Sequence, residues 1–249
     1  MNAKTKFLFH LADNPLILGQ RLGEWCGHGP VLEQDIALTN TALDLIGQAR
    51  LLYQYIGGLE EVNSNEDTLS MLRYEHEYYN LLLLEQPNKD FGQTITRQFF
   101  YDAFNLLQYE ALSHHADEIL KAIAIKSLKE IKYHYRYSSE WMIRLGDGTP
   151  QSHDIMQQAV NTMWRYTGEM FQPSSYENEL IQSGDAPDID VMEAYWTDKV
   201  NDIFSRAGLS IPSGEIMLNG GKEGRHTEHM GYILSELQYM QRTYPQMTW

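Results

Sequence analysis

The chain has 249 residues, 43% of them apolar, and a formal net charge of −15. That length and apolar share suffice for a sizeable core, while the charge argues against a nucleic acid held by clustered Lys and Arg, and equally against an anionic membrane surface. Cys26 is the single cysteine, so no intrachain disulfide forms.

Hydrophobic periodicity is helical nearly throughout, and no segment sustains a period of two. Asn14-Pro15 reads as the opening of a first helix that stops at Gly27-His28-Gly29-Pro30. Asp13 and Pro15 interrupt the N-terminal apolar run too early for a signal peptide. A second helix is expected over about 34–56, with Leu38, Ala42, Leu45, Ala49 and Leu52 as its buried stripe and Gly57-Gly58 as its end. A third is expected over 67–85, broken by Pro87-Asn88. Long helical patterns follow at about 92–115, 117–145, 151–171 and 188–207, and a last one runs from near Thr227 to before Pro245. The stretches 172–187 and 208–225 read as loops. No stretch nears the roughly 20 apolar residues of a membrane span, so the chain reads as cytoplasmic. No linker divides it, and residues 1–249 read as a single all-α domain, an antiparallel bundle with extra flanking helices.

Several polar groups sit where a bundle core could use them. Asn40, Asp44 and Gln48 are four apart and share a helix face. They are either a ligand-bearing line or the solvent edge of an amphipathic helix. Glu130 and His134 share a face continued by Tyr137 and Trp141. Di-iron bundles take a Glu from each of two helices and a Glu-x-x-His from each of the other two. Here Tyr78 stands where a His would follow Glu75, Asp102 is the obvious inward carboxylate of its helix, and the one true Glu-x-x-His, Glu223 to His226, straddles Gly224. Asp44, Glu130 and His134 are thus either a degenerate metal site or a buried polar network. His226 and His229 could chelate a cation, or mark a capped helix start. Gly220-Gly221-Lys222 before them could hold an anion. Glu77-Tyr78-Tyr79-Asn80, ahead of the apolar run 81–84, offers aromatic faces and an amide to a ligand with a ring and a peptide-like arm, or to an interface between subunits.

Longer motifs carry a family resemblance. Arg21-Leu-Gly-Glu-Trp-Cys-Gly-His28, Leu43-Asp-Leu-Ile-Gly-Gln-Ala-Arg50 and Asn80-Leu-Leu-Leu-Leu-Glu-Gln-Pro-Asn88 resemble the non-catalytic, ferritin-like subunit family of the multicomponent phenylacetyl-CoA epoxidase, as do Met156 to Ala159, Trp164-Arg165 and the segment Gly220 to Gly231. The resemblance covers nearly the whole chain. It implies a ferritin-like bundle that has lost its iron site and serves as a structural, non-catalytic subunit. It also implies a homologous catalytic partner that holds the di-iron centre, and a reductase component that brings electrons from NADPH. It implies no cofactor in this chain and a substrate contact through Glu77, Tyr78, Tyr79 and Asn80. Glu223 departs from the family pattern, where a basic residue is expected beside Lys222, which weakens an anion site in that loop.

Overall fold

The computed structural model describes residues 1–245 and Met247. Its regular elements among the described residues are all helical. In chain order they are α1 (Ala3–Gly23), α2 (Leu32–Gly57), α3 (Glu66–Met71), α4 (Leu82–Glu85), α5 (Phe91–Leu112), α6 (Glu118–Gly146), α7 (Pro150–Met163), α8 (Ser175–Ser183), α9 (Ile189–Ala207), α10 (Glu228–Leu237) and α11 (Tyr239–Thr243), with short 3-10 turns between some of them. Among the described residues no helix is long and apolar enough to cross a membrane. The chain divides into two compact units, Met1–Pro87 with Gly220–Trp249, and Asn88–Asn219.

In the first unit α1 packs along α2, with α4 and α10 against α1. Asn2 caps α1, its side chain accepting the Thr5 N–H, so this helix begins eleven residues before the expected Asn14 start. Pro15 lies inside the helix. The five stripe residues of α2 are all buried. The expected third helix is broken: α3 ends at Met71, a 3-10 turn covers Glu75–Glu77, and α4 is one turn long. The cause is tertiary. Backbone N–H groups that a helix would satisfy are taken by α1 side chains, Tyr79 N–H by Asp13 (2.8 Å) and Leu81 N–H by Asn14 (2.9 Å).

The second unit is built on the antiparallel pair α5 and α6, with α7 and α9 against them. Asp90, Asp117, Thr149 and Asp188 cap α5, α6, α7 and α9. An aromatic cluster of Phe99, Phe100, Trp164, Trp196 and Phe204 fills the space between them. The loop expected over 172–187 holds α8, started by a reciprocal Ser174–Glu177 capping box. The expected helix 151–171 ends at Met163 and gives way to 3-10 turns.

Candidate functional site

The first unit gathers its polar chemistry around two buried carboxylates. Asp13, fully buried on α1, accepts from the Tyr53 hydroxyl, the Tyr79 N–H and both terminal nitrogens of Arg73. The Arg73 guanidinium lies 4.0 Å from the Tyr78 ring centroid and 4.5 Å from that of Phe9. Burial works against its charge, but Asp13 more than offsets this and holds the guanidinium above its ordinary value. Burial, with Asp13 adding to it, pushes the Tyr53 hydroxyl up, and burial takes that of Tyr78 to about 12.

Beside this cluster opens a cavity of about 570 Å³ lined by Phe9, Glu61, Leu69, Arg73, His76, Glu77 and Tyr79, among others. The extended backbone at Tyr78 divides the four expected ligand-contact residues by alternation. Glu77 and Tyr79 line the cavity, whereas Tyr78 and Asn80 are fully buried. Tyr78 donates to the Ser70 carbonyl (2.7 Å), and the Asn80 amide donates to Glu85 (3.0 Å). The carboxylate of Glu77 also accepts the Tyr74 N–H, closing the 3-10 turn that aims it.

Glu85 is the second buried carboxylate. It accepts from Asn80, from the N–H and hydroxyl of Thr227 (2.8 and 2.6 Å) and from His226 Nδ1 (2.6 Å). His226 Nε2 meets the Tyr78 carbonyl at 3.0 Å. Both ring nitrogens face acceptors, which only an imidazolium can satisfy. Burial opposes that charge, but the hydrogen bond and charge of Glu85 outweigh it and raise the His226 pKa. Arg21 donates twice to the Glu85 carbonyl. Of the two readings open for this segment, chelation by His226 gives way to an ion pair, and the capped helix start also fails, since Thr227 donates its hydroxyl to Glu85 and makes no side-chain cap for α10. The Gly-rich loop ahead of it is shaped by closeness. A Cβ at Gly221 would lie 2.1 Å from the Asn80 carbonyl oxygen, and one at Gly224, where φ is +75°, 2.3 Å from that of His76.

In the second unit Asp102 on α5 accepts from Gln98 and from Ser138 on α6, each at 2.7 Å. Burial pushes its carboxyl up to about 6, against the opposing pull of His134. His134 is buried and Glu130 half-buried, and the electrostatic pull of His134 reaches Asp102 on the neighbouring helix. Asp44 lies in the first unit, half-exposed on α2, in a polar line that runs from exposed Asn40 to buried Gln48. Among the described residues no three His, Cys, Asp or Glu side chains are grouped to hold a metal ion.

Sequence reasoning missed Asp13, Arg73 and Glu85. The one available signal was their setting: Asp13 and Glu85 each interrupt or end an apolar run, Phe7 to Leu18 and Leu81 to Leu84.

These features define a protein whose described elements are all helical and whose two units each enclose a buried polar cluster. Along its whole length, residues 1–249, the chain matches the family described as phenylacetic acid catabolic protein, and it belongs to that family. It is 45% identical over 249 residues, all of both chains, to the C subunit of the 1,2-phenylacetyl-CoA epoxidase of Escherichia coli (strain K12).

Proposed function

We propose that the chain is a structural, non-catalytic subunit of the oxygenase that epoxidises the aromatic ring of phenylacetyl-CoA in aerobic phenylacetate breakdown. It pairs with and stabilises a homologous catalytic subunit that holds the di-iron centre, with electrons reaching that centre from NADPH through a reductase component. The observation that carries this reading is the 45% identity, without truncation of either chain, to a named component of that epoxidase. The side chains support it. Asp13, Glu85 and Asp102, three of the buried carboxylates, are each engaged by protein donors. On this reading the two units form one ferritin-like domain working in the cytoplasm.

The segment 77–80 meets the acyl-CoA in the assembled complex in two ways. Glu77 and Tyr79 offer a carboxylate and an aromatic face at the cavity, while Tyr78 and Asn80 brace the wall behind them. Arg73 is neutralised by Asp13, and Glu61 and Glu77 add negative charge, so the cavity suits the ring or amide portion of the ligand, not its phosphates.

Metal analysis of the separately purified chain and of the assembled pair tests the reading. Iron confined to the pair, with epoxide formed only when both proteins are present, is the expected result. About two tightly held irons in this chain alone would overturn it in favour of a di-iron centre using Asp44, Glu130 and His134.

A further inference from the structure

Charge is unevenly distributed along this acidic chain. Helix α6 carries Lys121, Lys126, Lys129, Lys132, Arg136 and Arg144 against Glu118, Glu130 and Glu140. It is thus +3 in a chain of −15, and the rest carries −18. The surplus lies on one face. Lys126, Lys129, Lys132 and Arg136 are exposed at helical spacing, together with Ile125 and Tyr133, while Ile123, Ser127, Ile131, His134 and Ser138 turn inward. No carboxylate among the described residues pairs with Lys126, Lys129 or Lys132; Lys121 pairs with Glu118 at the start of the helix. Arg136 sits 5.5 Å from the Tyr133 ring centroid, and Tyr133 stacks on Tyr137 at 6.4 Å.

We propose that the outer face of α6 docks an acidic surface of a different protein. Unpaired cations clustered on one face of a −15 chain attract a negative partner and steer its approach. Tyr and Arg beside them match the composition of protein interfaces. A second copy of this chain fits poorly. A two-fold contact would press the basic face against itself, and a head-to-tail contact with an acidic face would propagate without closing. A polyphosphate strand fits poorly too, because the −18 elsewhere repels it beyond the few residues of α6. The proposal rests on the reading of this chain as an oxygenase component, which supplies the partner class: another component of the same oxygenase.

The test compares the full chain with its K126E/K129E/K132E variant, all three exposed positions, and with the matching triple Lys→Arg variant. Each is titrated against the purified catalytic partner and the purified reductase at rising salt. The wild type should bind one of them with an affinity that falls as salt rises. The triple Glu variant should bind that component about tenfold or more weakly, with a flatter salt dependence, and the Arg variant should match the wild type. Equal affinity and equal salt dependence for the Glu variant would overturn the docking face while leaving the oxygenase reading intact. A wild type that binds neither component would overturn the oxygenase reading itself. Tighter binding of a single-stranded DNA oligonucleotide, or self-association lost in the Glu variant, would also overturn the acidic-protein assignment.

Discussion

The two units bury carboxylates in opposite ways. In the first, Asp13 meets the positive charge of Arg73 and Glu85 that of His226. In the second, Asp102 accepts from the neutral donors Ser138 and Gln98, and burial lifts its pKa to about 6 against the weaker pull of His134. A buried carboxylate keeps its ordinary charge more readily when a full opposite charge adjoins it; where its hydrogen bonds come from neutral groups, burial raises its pKa. The first arrangement ties distant segments together, since Asp13 links α1 to the stretch before α4 and Glu85 links the end of α4 to the chain's C-terminal part. The second knits only neighbouring helices.

The largest test of this contrast removes one charge from the first unit. Arg73→Met leaves Asp13 buried and unanswered and should cost about 3–5 kcal/mol in a denaturant titration. Asp102→Asn keeps the shape and, measured near pH 4 where Asp102 holds its proton, should cost about 1 kcal/mol. Equal costs would erase the distinction between the units.

Next in size is pH. The folded pKa of Asp102 lies above its reference of 3.8, so its contribution is fully present below about pH 4 and is lost as pH rises through about 6. Stability relative to Asp102→Asn should therefore fall by roughly 3 kcal/mol between those limits. His226, raised above 6.5, has the same sign in a higher window: its contribution is present below 6.5 and is lost as pH rises through its folded value. Melts at stepped pH of the wild type, Asp102→Asn and His226→Gln separate the two windows, and one shared window would break the comparison.

Gly221→Ala comes third. Its new methyl would press on the Asn80 carbonyl, so about 1–3 kcal/mol should be lost, with weakened hydrogen-exchange protection around 78–86. The smallest effect sharpens the functional side. Glu77→Gln keeps the cap geometry and should change stability by no more than about 0.5 kcal/mol. Its effect should instead appear in the KM of the assembled oxygenase for the acyl-CoA; an unchanged KM would remove Glu77 from the ligand contact.

Much of the second unit was legible because its helices are announced locally. Asp90, Asp117 and Asp188 stand one residue ahead of their helices, and the 3–4 spacing of apolar residues carries through α5, α6 and α9. The Ser174–Glu177 box had the same kind of signature, although the polar stretch around it reads as loop. The internal burial of His134 was also legible from its helix face; Asp102, whose carboxyl feels its charge from the preceding long helix, was legible only as an inward carboxylate. The candidate site was half legible. Glu77 to Asn80 stood out as a motif, but nothing local sorts Glu77 and Tyr79 to a cavity and Tyr78 and Asn80 to the core.

By itself the sequence determined an all-helical chain, the family to which it belongs and most helix ends, because caps, periodicity and long motifs are properties of neighbouring residues. Only the tertiary structure decided that residues 67–85 abandon the helix, that His226 pairs with Glu85, and that the unpaired cations of α6 gather at the surface. In each case the deciding partner, or its absence, lies far along the chain. A backbone N–H or a buried charge takes its conformation from whichever group satisfies it, and local pattern does not say which group that will be.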